Sequence, residues 1–310
     1  MAGLLAAPLE VYVLALLPAL LWGFEPVVSK RGLSLGGTPV QASLVVVLVD
    51  ASLYWLGLVG LSLLRGGPLV GSLSAEIVAV FLVAGVVGTA VGRLAVFAGV
   101  QRVGASVNSA VISARPLFAT VLALAFLGEP LSASTAAGVV VIVAGLAVLS
   151  TARGGDLRGW ETRDLVFPIA AAAAFAVGNV LRRFGLTTSP ASVLEAVAIN
   201  ETAALVALVA YVLARNPDHL RAPRETYGYF AVSGVITAGG LLSLFAAFAL
   251  PAGRVALVDP LVATAPLFTV VFAAVFLKDL ERVTRGVVAG GLLVVVGVAL
   301  VTLGPAAVGV

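Results

Sequence analysis

The sequence contains no cysteine and a single histidine, His219. Without cysteine there is no disulfide framework, thiol nucleophile or thiolate metal site. One histidine leaves no His-rich metal site and no HExxH metalloprotease pair. A GxxxxGKS/T phosphate loop is missing too, so ATP does not drive this chain directly. Charge is scarce: Asp, Glu, Lys and Arg make up 11% of the 310 residues, against about 25% in soluble domains. That excludes a soluble enzyme, a disordered chain and a nucleic-acid binder. The opening MAGLLAAPLE lacks the basic n-region of a signal peptide, so the first apolar run is expected to stay as a helix.

What the sequence has in abundance is apolar length. Apolar residues make up 61% of the chain, and the mean hydropathy is +1.16. At about 20 residues per crossing, the expectation is an all-α polytopic membrane protein with ten transmembrane helices. The spans fall at 11–30, 39–63, 76–98, 105–127, 133–151, 165–184, 192–213, 226–249, 254–277 and 284–303. The breaks carry turn residues, such as Gly36-Gly37-Thr38-Pro39, Ser189-Pro190 and Asn216-Pro217-Asp218. The one long polar stretch, Arg153 to Asp164, divides the chain nearly in half.

The halves repeat. Gly32-Leu33 matches Gly185-Leu186, Pro116-Leu117-Phe118 matches Pro266-Leu267-Phe268, and Gly138 and Gly145 match Gly290 and Gly297. The offset stays between about 149 and 153 throughout. Residues 1–152 and 165–310 therefore read as two five-helix repeats joined by a polar linker at 153–164. Five is odd, so the second repeat enters the bilayer from the opposite side. Such inverted repeats are a common build of secondary transporters, with the binding site at their interface.

A charge inside a span costs roughly 2.5–3.5 kcal/mol at a helix centre, so each one needs a partner, water or a function. Asp50, Arg115 and Glu201 lie nearest the expected midplane; Glu25, Arg93, Glu195 and Asp259 lie off centre. Asp50 and Glu201 are 151 residues apart, at equivalent positions of the two repeats. They are expected to flank one central cavity, where they suit proton coupling or a substrate ammonium. The competing reading is a structural ion pair of Asp50 with Arg93 or Arg115. Glu25, Arg115 and Asp259 each precede a proline, which disfavours helix and marks a kink. Asn108 shares a helical stripe with Arg115, and Glu195 shares one with Ser192 and Thr202. Asn179 and Asn200 suit interhelical hydrogen bonds or substrate contact. Trp22 suits stacking on a flat or cationic substrate, or packing. Trp55 and Trp160 are expected at the membrane interface. The Gly88/Gly92 and Gly286/Gly290 pairs read as close helix contacts. His219 falls in a loop.

Several motifs together resemble the drug/metabolite transporter superfamily, EamA-type permeases. They are Leu21-Trp22-Gly23-Phe24 with Lys30, Phe97 to Ser106, Pro116-Leu117-Phe118, Phe126 to Leu131, and Gly138 with Gly145. The resemblance covers nearly the whole chain. It departs at Leu277-Lys278-Asp279, where the family usually has a Gly-Glu pair. It implies a non-enzymatic transporter without a cofactor, in the cell membrane, with amino acids as the first substrate guess and both termini cytoplasmic. Loop charges argue for the reverse orientation: 12 Lys/Arg follow odd-numbered spans and 4 lie on the other side.

The partners expected are a small polar solute, the lipid bilayer and protons as coupling ions, with no nucleic acid. Oligomeric state is not encoded in these residues. Arg115, with Arg93, would hold a substrate carboxylate; Asp50 and Glu201 would hold its amine or exchange protons. The alternative is an antiporter or facilitator for organic anions, nucleotide sugars or drugs. A remote third is an intramembrane enzyme or lipid-handling protein.

Overall fold

The computed structural model describes residues 8–122, 133–152, 154–215 and 217–307. Phe126 to Leu131, Arg153 and Asn216, which figured in the sequence reading, lie outside the described residues. The chain is an all-α polytopic membrane protein. Six helices are long and apolar enough to cross a membrane: Leu9–Ser34, Pro39–Arg65, Ala75–Val103, Thr162–Thr188, Val193–Arg215 and Arg224–Ala249. Their outward side chains are apolar, as with Leu56 at 67% and Val206 at 62% exposure. Lipid, like the protein core, accepts apolar groups, so these helices need no polar face.

Helix α1 (Leu9–Ser34) carries Pro18 and Pro26 within it and runs on past both. Helix α2 (Pro39–Arg65) starts at a capping box, with Thr38 N donating to Gln41 at 2.9 Å and Gln41 N to Thr38 at 3.3 Å. Helix α3 (Ala75–Ala84), a π turn (Gly85–Val91) and α4 (Gly92–Val103) form one continuous rod. It is six residues longer than the span 76–98 that the sequence pattern suggested.

The next span is interrupted. Helix α5 (Ala105–Ile112) gives way at Ser113-Ala114 to α6 (Arg115–Leu122). Helix α7 is Ala133–Thr151 and α8 is Val166–Thr188. Helix α9 is Val193–Arg215 and α10 is Arg224–Ala249. A second interruption, at Ala263-Thr264, separates α11 (Val255–Val262) from α12 (Ala265–Phe276). Helix α13 (Arg285–Ala307) ends the bundle. Pro116 and Pro266 follow these breaks because proline lacks the N–H that would bond back across them. Pro260 lies within α11, three residues before the second interruption.

The linker is less of a tether than its polarity implies. Strand β1 (Gly155–Asp156) pairs antiparallel with β2 (Glu281–Arg282), so the linker is stitched to the loop between α12 and α13.

Helix α1 packs on α10, and the rod from α3 to α4 packs on α8 and α9. Helix α2 packs on α9 and α10, and α7 on α13. Small residues make these contacts close. A Cβ on Gly88 would sit 2.8 Å from the Gly178 Cα, and one on Gly85 would sit 2.0 Å from the Asn200 carbonyl oxygen. Gly85→Ala must therefore push two helices apart. Overpacking of this kind costs about 1–3 kcal/mol, and the detergent melting temperature should fall accordingly. Gly60→Ala, which meets nothing within 4 Å, should not lower it.

Candidate functional site

Among the described residues, the charged side chains buried within the helices include seven that gather near one cavity: Glu25, Asp50, Arg93, Arg115, Arg182, Glu201 and Asp259. Burial forces them to find partners, and six of them join one chain of contacts. Arg93 Nη2 lies 2.6 Å from Asp50 Oδ2 and 3.9 Å from Glu201 Oε2. Glu201 Oε1 accepts from Thr89 Oγ1 at 2.9 Å and from Asn200 Nδ2 at 2.9 Å. Arg182 spreads its guanidinium over three acceptors: Thr89 at 2.9 Å, Asn200 at 3.2 Å and Asn179 at 2.9 Å. Asn179 Nδ2 donates to Asp259 Oδ1 at 2.8 Å. Arg115 Nε stands 3.5 Å from that same oxygen, too far for a hydrogen bond.

The chain runs beside a cavity of about 100 Å³. Arg93, Arg115, Asn179, Arg182 and Thr89 line it, with Trp22, Glu25 and Asn108. Several polar atoms of this wall have no hydrogen-bond partner among the described residues. They are Trp22 Nε1, Glu25 Oε1, Arg93 Nε, both amide atoms of Asn108, Arg115 Nε and Nη2, and Thr237 Oγ1. Buried polar groups are rarely left unpaired, and here they concentrate on one cavity wall.

The charges do not cancel. Fully ionised, four carboxylates face three guanidinium groups. Asp50, Glu201 and Asp259 each have an Arg within ion-pair distance. Glu25 has none among the described residues.

The structure sorts the sequence-predicted residues. Trp22, Glu25, Arg93, Asn108, Arg115 and Asn179 line the cavity. Asp50 and Glu201, expected to flank the cavity, are not on its wall. They stand behind it and share Arg93, so the ion pair of Asp50 with Arg93 is present. Asp259 likewise lies behind, between Asn179 and Arg115. Glu195 is elsewhere: its carboxylate accepts from Ser192 N at 2.8 Å and Gly71 N at 2.5 Å, which caps α9 and pins the loop before α3. Trp55 donates to Thr202 at 2.8 Å between α2 and α9. Arg182 escaped the sequence reading, which counted it with the loop after the sixth span. Helix α8 runs on to Thr188, and Arg182 falls three residues after Asn179, on the same stripe.

With the architecture established, known proteins bear on it. The model of the EamA-like transporter family matches residues 9–151 and 164–303. This chain belongs to the EamA-like transporter family. As an EamA-like protein it is a multi-pass membrane protein, and its family points to transport of small solutes rather than to an enzyme. An uncharacterized transporter of Clostridium kluyveri is 26% identical over 149 residues, 46% of this chain and 45% of that protein. The EamA-like chain thus matches under half the length of this curated relative. A solved crystal structure shares its fold with a TM-score of 0.62 at 14% identity, covering 98% of this chain and 100% of the other.

Arg182 is the test of the polar chain within this EamA-like fold. Arg182→Gln leaves acceptors on Thr89, Asn179 and Asn200 unmet, and each buried unsatisfied group costs about 1–3 kcal/mol. The melting temperature in detergent should drop well below that of Arg183→Gln, which removes a half-buried neighbour.

Proposed function

We propose that this chain is a secondary transporter of a small polar solute, an amino acid or related compound, in the cell membrane. It works by alternating access between two inverted five-helix repeats, residues 1–152 and 165–310, joined by the linker at 153–164. The unpaired atoms of the cavity wall carry this reading. Arg115 and Asn108 offer donors for a carboxylate. Glu25, the acid without an Arg partner, takes an ammonium or the coupling proton.

The helix packing supports the repeat. Exchanging the halves turns the contact of α1 with α10 into that of α8 with the rod from α3 to α4, and both occur. It maps the α7–α13 and α2–α9 contacts onto themselves. The interruptions at Ser113-Ala114 and Ala263-Thr264 stand at matching positions, and the family model aligns with each half. Kinked or broken helices at the repeat interface line the sites of many transporters.

A second reading, exchange of organic anions, has one observation in its favour: the two unpaired nitrogens of Arg115. Uptake into proteoliposomes under an imposed proton gradient separates the two. A hydrogen bond to a charged group contributes about 1.5–3 kcal/mol, so Arg115→Ala should raise KM about 10- to 100-fold. Glu25→Gln should abolish gradient-driven uptake while leaving exchange. Uptake that ignores the gradient and requires a counter-solute favours the anion exchanger. Full uptake and coupling in both Arg115→Ala and Glu25→Gln would overturn the site.

A further inference from the structure

Where α1 and α4 end and α5 begins, the two halves are tied by charges that the cavity does not use. Lys30 is buried although it stands near the end of α1. Its Nζ donates to the carbonyls of Val100 at 2.9 Å and Gln101 at 3.3 Å, in the last turn of α4. It also pairs with Asp156 of the linker. The ribbon register sets Asp156 opposite Glu281. Glu281, buried as well, accepts from the backbone N–H of Ala105, from Ser106 N at 3.2 Å and from Ser106 Oγ at 3.0 Å. Gly104 turns there with φ +89°, and a Cβ on it would sit 2.8 Å from the Glu281 carboxyl carbon. Burial pushes the Glu281 carboxyl above the usual carboxylate range, as expected of a group shut away from water.

Beneath this ionic layer lies an apolar one. Val27, Ala105, Ala273 and Leu277 are all buried and in mutual contact. Beneath that, Trp22 and Glu25 of α1 and Asn108 of α5 line the cavity. Along α1 the order is cavity, apolar layer, Lys30; along α5 it runs in reverse. That is the stacking of a plug between the cavity and one face of the protein.

We propose that Lys30, Asp156 and Glu281 form the ionic gate of this face, with the linker's Asp156 as its latch. The gate rests on the transport reading, since only a carrier needs one. It opens when Asp156 leaves Lys30 and Glu281 releases the start of α5. The released groups stand at the helix ends, where water can solvate them, so opening costs far less than it would in the central chain. The linker is thereby a positioning part of the transport cycle, and none of the three residues touches solute in the cavity.

The chain has no cysteine, so one can be placed in the plug without background. Val27→Cys, in the full chain purified in detergent, is reacted with a charged water-soluble maleimide. Labelling should be slow in the otherwise unaltered chain and at least 10-fold faster with Asp156→Asn or Glu281→Gln. Asp156→Glu, which keeps the charge, should stay within about threefold of the slow rate. Glu161→Gln, which removes an exposed linker pair with Arg163, should change nothing. Either neutral variant suffices if the other fails to fold. The gate is overturned if neither accelerates labelling, or if Glu161→Gln accelerates it equally. Labelling requires no substrate, so its outcome is independent of uptake. Faster labelling in a protein that moves no solute would keep the ionic seal at this face and sink the transport reading, and with it the seal's role as a gate.

Discussion

Arg93 stands between Asp50 of α2 and Glu201 of α9, within reach of both, and no water surrounds the helices to take its place. In hydrocarbon a single unpaired charge costs several kcal/mol. Removing one partner from a buried set is therefore far worse than never having built it. That constraint fixes three helices against one another and propagates. Glu201 needs more donors, so Thr89 and Asn200 turn toward it. Thr89 then has its one hydrogen and both acceptor positions in use, which sets where Arg182 can go. Thr89, in the π turn at Gly85–Val91, and Arg93, in α4, lie four residues apart on one continuous rod and share a face.

The centre divides into a saturated part and an unsaturated part. Thr89, Asn179, Asn200 and Arg182 satisfy one another and hold shape. Trp22, Asn108 and Arg115 leave polar atoms open on the cavity wall. A rigid network behind an unsatisfied wall is how a site discriminates: the guest that completes the bonds is preferred over one that strands them. The interrupted helices supply part of this wall, since α5 brings Asn108 and α6 begins at Arg115.

The helices were legible in the sequence because length and apolarity alone decide what fits a bilayer. Six of the expected spans fall on the six described helices that are long and apolar enough to cross a membrane. Charges were legible too: Glu25, Asp50, Arg93, Arg115 and Asp259 stand out against apolar surroundings and lie buried at the centre. Glycines read as contacts proved to be contacts, as at Gly88 against Gly178. Misreadings came where a residue's role depends on a partner distant in sequence. Glu195 is on a polar stripe, but Ser192 and Gly71 claim it. Arg182 looked like a loop cation because the end of α8 could not be placed from hydropathy alone.

The sequence by itself determined that this is a membrane protein of apolar spans in two similar halves, with a few acids and arginines misplaced among them. Composition and spacing suffice for that, because the bilayer penalises each polar residue one at a time. Only the tertiary structure decided which of those charges face a cavity, which brace it from behind and which tie the linker to the helix ends. Those roles are set by pairs such as Lys30 with Asp156, 126 positions apart, and Arg115 with Asp259. Electrostatics acts over distances in space, and separation along the chain carries no information about it until the helices are packed.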